Sequence, residues 1–93
     1  MSRREGNRLL LDGELTVNTV ARVLEDTPPQ DRAAAEVVDI AGVTEVDSAA
    51  VALAITWLRE ARAGGRTIPF ENLPPAMAKL ARLYAVADLI PGA

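Results

Sequence analysis

Val37-Val38-Asp39-Ile40-Ala41-Gly42-Val43-Thr44-Glu45-Val46-Asp47-Ser48-Ala49-Ala50-Val51-Ala52-Leu53-Ala54-Ile55-Thr56-Trp57-Leu58 is the most informative run in this chain. Its first part, Glu36–Ala41, is largely apolar and ends at Gly42, as a strand buried on both faces does. Val43–Asp47 is expected to be a loop. Asp47 or Ser48 can then offer a side-chain oxygen to the free amides at the start of a helix. That helix is predicted to reach about Arg62 and to stop at Gly64-Gly65. From Ala49 to Leu58 only Thr56 is polar, whereas a helix lying on one face of a sheet should carry a polar back. So broad an apolar surface needs cover on more than one side. In a chain of 93 residues the simplest cover is another protein, with Val51 and Ile55 on the contacting face.

Toward the C-terminus, Thr67–Glu71 is a short β-rich run and Asn72-Leu73-Pro74-Pro75 a loop. Pro75 suits a first helical turn, and Met77, Leu80, Ala81 and Tyr84 follow at helical spacing, with Pro91-Gly92 as a stop. Toward the N-terminus, Ala33–Ala35 has no clear pattern. Pro28-Pro29 ends a helix that Asn18 can cap and that carries Val20, Val23 and Leu24. Before it, Leu9–Leu11 and Glu14–Val17 are expected to form a hairpin about Asp12-Gly13. The predicted order is β-β-α-β-α-β-α. Helical crossovers imply parallel pairing, hence an α/β fold: one layer of about four short strands with helices packed on it, a single domain over 1–93.

Composition narrows the chemistry. The 49% apolar content is that of a globular domain. There is no Cys and no His, which removes disulfides, thiolate metal sites and the usual general base. A net charge of −3 and only three aromatic residues argue against nucleic-acid binding. Arg3, Arg4 and Arg8 precede only Leu9–Leu11, too short for a signal peptide core, and no run suits a membrane span. A cytoplasmic domain without direct membrane insertion is expected. Ser48 has no histidine to activate it, and Lys79, the only lysine, belongs to another helix, so no catalytic residue, cofactor or metal is expected. Glu45 and Asp47 are expected to be solvated loop acids, and Asp39 to face the open side of the sheet or to hydrogen-bond the loop beyond. Arg59, Arg62 and Arg66 complement a helix C-terminus. Lys79 and Arg82 belong to a solvated face, and Trp57 and Tyr84 to the core.

Val37-Val38-Asp39-Ile40, Val43 and Val46-Asp47-Ser48-Ala49-Ala50-Val51 together resemble the STAS domain family: an apolar strand, a loop, and Asp-Ser/Thr opening a helix. Asp12-Gly13-Glu14-Leu15 is similar to the family's opening hairpin. Leu80-Ala81-Arg82-Leu83-Tyr84 with Ala87-Asp88-Leu89-Ile90-Pro91 is similar to its MlaB branch. The resemblance covers most of residues 8–92. It implies a STAS fold and a non-enzymatic subunit that binds and stabilises the MlaF-like ATPase subunit of a phospholipid (Mla-type) ABC transporter. Such a subunit supports outer-membrane lipid asymmetry from the cytoplasmic side, peripheral on the inner membrane through its partner. The implied partner contacts are Asp47, Ser48, Ala49, Ala50, Val51 and Ile55. The alternative implication is an anti-sigma factor antagonist, in which an anti-sigma kinase phosphorylates Ser48. Phosphorylated members often carry Asp where Thr16 stands and Gly where Ala50 stands, which favours the transporter subunit. Without a partner, the apolar face is expected to drive self-association.

Overall fold

β1 (Ser2–Glu5) and β2 (Arg8–Leu15) form an antiparallel hairpin with Glu5 opposite Arg8. The computed structural model describes residues 2–86 and 89–90, so Ala87, Asp88 and the expected Pro91-Gly92 stop lie outside the described residues. The turn is Gly6-Asn7 with Gly6 at φ +60°, the glycine-first geometry that matches strand twist. Asp12-Gly13, expected from the sequence to be the turn, instead lies inside β2. There β2 pairs in parallel with β3 (Val37–Val46), and the register shifts between Leu10 and Asp12 and between Gly13 and Glu14. At each shift β3 carries one more residue than β2, so both are bulges on β3. Gly13 takes a φ of +76° beside the second. Gly42 closes the first, where a Cβ would stand 3.0 Å from the Asp12 Cβ. The expected loop Val43–Asp47 is therefore strand as far as Val46.

β4 (Phe70–Glu71) pairs in parallel with β3 at Val38 and Asp39, and the sheet order is β1-β2-β3-β4. Both parallel crossovers step in the same direction, so right-handedness puts every crossover helix on one face. Leu9, Leu11, Val38, Ile40 and Phe70 are buried beneath those helices.

The helices are α1 (Val20–Asp26), α2 (Pro29–Ala34), α3 (Ser48–Ala63) and α4 (Pro75–Leu83). The order is thus β-β-α-α-β-α-β-α. The extra helix, α2, starts on Pro29 and occupies the stretch the sequence left undecided. Asn18 does not cap α1; Thr19 is the flanking residue, its hydroxyl accepting from the Thr16 amide and donating to the Glu14 carbonyl. α3 ends as expected: Gly65 adopts φ +74°, and the Arg66 amide reaches back to the Ala61 carbonyl.

The apolar surface of α3 is covered largely from within the chain. Ala50, Val51, Leu53, Ala54, Trp57, Leu58 and Ala61 are all buried, and Ile55 is half-buried. The sheet lies beneath, α4 packs one flank and α1 touches the other. Val51, at 5% exposure, is core and not the free contact expected of it. Tyr84, expected in the core, is half exposed because α4 ends at Leu83. Trp57 is core as expected, but its indole N–H is buried without a partner among the described residues, a cost of roughly 1–3 kcal/mol.

Candidate functional site

The site begins where β3 passes into α3. Asp47 caps the helix: one carboxylate oxygen accepts from the Ala49 amide at 2.8 Å, and the other from the Val17 amide at 3.0 Å. One side chain thereby satisfies a helix-start amide and ties the β2–α1 connection to the start of α3. Thr16 is buried beside this junction, and its carbonyl accepts from the Thr19 and Val20 amides.

Because Asp47 does the capping, Ser48 does not. Ser48 is the first residue of α3, exposed, and its hydroxyl makes no hydrogen bond to another described residue. Ala49 is half-buried and Ala50 fully buried. The expected contact set therefore divides. Asp47, Ser48 and Ala49 reach the surface, Ala50 and Val51 point into the core, and Ile55 sits on the α4 flank between them.

The open part of α3 lies on its other flank. Val20, Leu24, Ala49, Ala52, Leu53 and Thr56 line a shallow groove between α1 and α3. Ala52 and Thr56 are exposed, Leu24 is 41% exposed, and Val17, just before α1, is 72% exposed. The sequence points to Val20, Val23 and Leu24 as one buried face, but only Val23 is fully buried. Ala52, Leu24 and Val17 were thus missed. Val17 was hidden because the alternation of Glu14–Val17 assigns it to the apolar face of a strand, whereas β2 ends at Leu15.

The profile of the family described as "Mlab, STAS domain" matches residues 2–91. The chain belongs to the MlaB-type STAS family. Among solved structures, this STAS domain is similar to the anti-sigma factor antagonist SpoIIAA in its unphosphorylated form. The two share 19% identity at a TM-score of 0.63, over 89% of this chain and 81% of SpoIIAA, a likeness of fold. No curated protein matches the chain. STAS domains are protein-interaction modules, and binding is the chemistry this one offers.

The ionisable groups of the STAS domain serve the frame. On the bare side of the sheet, one Arg8 nitrogen donates to Asp39 at 3.0 Å and to Glu71 at 2.6 Å, joining β2, β3 and β4. Asp39 also accepts from the Asn72 amide at 3.0 Å and from the Ala41 backbone N–H at 2.9 Å, the latter inside the first bulge. These contacts, Asn72 first, then Ala41 and Arg8, hold its carboxyl below the ordinary value. The Arg8 guanidinium is held above its own, chiefly by Glu71. Asp39, an oddity in an apolar strand, is therefore the residue that closes a bulge. Arg66 does not serve the end of α3 but donates to the Ala33 and Ala35 carbonyls at the end of α2. Arg59, Arg62, Lys79, Arg82 and Glu45 are exposed. Among the described residues no acidic, His or Cys group could hold a metal ion, and no helix is long and apolar enough to cross a membrane.

Proposed function

We propose that this chain is the STAS subunit of a Mla-type phospholipid ABC transporter, docking on the transporter's ATPase subunit and stabilising it. The observation that carries this reading is the solvent-open groove between α1 and α3 that begins at Ala49, one residue after Ser48. Its floor is small: Ala49 and Ala52 allow a partner's helix or loop to approach the α3 backbone closely. Its rim is apolar at Leu24, and with the exposed Val17, tied to the start of α3 by Asp47, it offers area for burial at about 25 cal/mol per Å² removed from water. Asp47 holds Val17 beside the helix start, so the rim is pre-organised and little ordering is needed on binding. The domain acts by binding alone. ATP hydrolysis belongs to the partner, and the domain lies on the cytoplasmic side of the inner membrane only through that partner. The surface assigned to it comprises Asp47, Ser48 and Ala49 together with Ala52, Leu24 and Val17; Ile55, on the opposite flank of α3, is not part of it.

A second reading shares the same surface. The Ser48 hydroxyl is exposed and free of the capping bond, so a kinase could phosphorylate it, as in an anti-sigma factor antagonist. A phosphate there meets the positive end of α3, favourable by about 0.3–1 kcal/mol, while placing about −1.5 to −2 charges against the groove. The two readings differ in partner and in the state of Ser48. Affinity purification of the tagged protein from its own membranes, with mass spectrometry of partner and bait, separates them. Recovery of the ATPase subunit with unmodified Ser48 is expected. Recovery of an anti-sigma kinase with a phosphorylated Ser48 population would overturn the transporter reading.

A further inference from the structure

The connection from β2 to α1 is hydrogen-bonded at every step. The Thr16 amide donates to the Thr19 hydroxyl at 2.9 Å, and the Val17 amide to the Asp47 carboxylate at 3.0 Å. The Asn18 amide donates to the Thr16 hydroxyl at 3.3 Å, and the Thr19 and Val20 amides both donate to the Thr16 carbonyl at 3.0 Å. Every backbone N–H from Thr16 to Val20 is thus satisfied. The Thr19 hydroxyl also donates to the Glu14 carbonyl at 2.9 Å, which pins the turn to the end of β2. Turns of this kind favour Gly, Asn, Asp or Ser at outward positions, yet this one presents Val17 at 72% exposure. A lone exposed valine would need no explanation, but this one is fastened to the docking surface. The other oxygen of the same Asp47 carboxylate accepts from the Ala49 amide at 2.8 Å, and Ala49 lines the groove between α1 and α3. A projecting apolar side chain and a shallow groove of small residues are therefore locked to one another through one carboxylate.

We propose that Val17 is the anchor of this surface: it enters an apolar socket on the ATPase subunit while a ridge of the same subunit lies in the groove. This rests on the function proposed above and adds the shape and chemistry of the partner's face. The socket is apolar because position 17 offers it no hydrogen bond: the side chain has no polar atom, and the backbone N–H is spent on Asp47. A polar socket would give up its water for nothing in return. Valine suits the task because its branched side chain is stiff and its backbone is already fixed, so little freedom is lost on burial. Asp47 is the positioning residue, acting on the contact through the Val17 amide.

Affinity of the full-length domain for the purified ATPase subunit would be measured by calorimetry, with amide hydrogen exchange of the free domain alongside. Val17→Ser is expected to weaken binding about tenfold or more with thermal unfolding unchanged, and Val17→Ile to bind like wild type. Asp47→Ser has one side-chain oxygen in place of two, so it keeps a cap and gives up the tether. It is expected to speed exchange at the Val17 amide relative to the amides of α4, to weaken binding several-fold, and to add little in the Val17→Ser background. If Ala52→Glu loses the ATPase subunit while Val17→Ser binds like wild type, the anchor is overturned and the docking surface stands. If both variants bind like wild type, the docking surface falls and the anchor with it. Fully additive losses in the double variant would overturn the positioning role of Asp47.

Discussion

α3 has two flanks, and they are finished differently. On one, α4 lays Met77 and Ala81 against the helix, both fully buried, and Val51 and Leu58 are sealed into the core. On the other, α1 buries only Val23 fully and leaves Leu24 facing solvent beside Ala49 and Ala52, with Val17 exposed just before the helix. An all-apolar helix in a short chain does need cover beyond its sheet. The chain supplies it on the α4 flank and withholds it on the α1 flank. Partner surface is therefore to be sought where the second layer stops short, and not at the most hydrophobic residues.

This contrast fails first at its packed side if it is wrong. Met77→Ala is expected to cost about 2–5 kcal/mol, the range for emptying a buried site, and Val51→Glu to prevent folding by burying an unpaired charge. Leu24→Ala on the open flank is expected to cost less than about 1 kcal/mol. Urea unfolding of the three variants checks this; equal losses for Met77→Ala and Leu24→Ala would erase the distinction between the flanks.

The junction at the start of α3 gives a smaller effect. Asp47→Ala removes the cap and the tether to Val17, and is expected to lower stability by about 0.5–2 kcal/mol. Ser48→Ala, next to it, is expected to be close to silent, because Ser48 makes no capping bond. Thermal unfolding of the pair distinguishes them, and a larger loss in Ser48→Ala would move the cap to Ser48.

The bare side of the sheet sharpens the contrast least, since the crossover helices lie on the other face. Asp39 has a folded-state pKa below its ordinary value of 3.8. A lowered carboxyl pKa stabilises the fold above the unfolded value, and that stabilisation is lost as pH falls through the folded one. The gap between wild type and Asp39→Asn should thus be complete above pH 3.8 and close below it. Chemical unfolding across the acid range tests this; a gap unchanged into strong acid would remove Asp39 from the account.

The first half of β3 and the whole of α3 were legible because local signals agreed there: an apolar strand, a cap at Asp47 or Ser48 and a Gly-Gly stop; Val43–Val46, expected as loop, was not, because its strand character comes from pairing with β2. α4 was legible from Pro75 and its helical spacing, apart from Tyr84, which falls just past the helix end. β1 was missed because Ser2-Arg3-Arg4-Glu5 is polar, as a protected edge strand can be. Asp12-Gly13 misled because a turn signal is also a bulge signal, and only pairing with β3 separates the two. Ser48 was legible as a surface position at a helix start. The groove was not, since it depends on how far α1 stands from α3, which neither helix encodes alone.

Whether the open flank is the docking surface is tested by Ala52→Glu against Lys79→Glu, both at exposed helical positions. Each is expected to keep its stability within about 0.5 kcal/mol of wild type. In co-purification with the ATPase subunit, Ala52→Glu should lose the partner and Lys79→Glu should retain it. A fully bound Ala52→Glu variant would contradict the assignment of the α1–α3 groove as the interface.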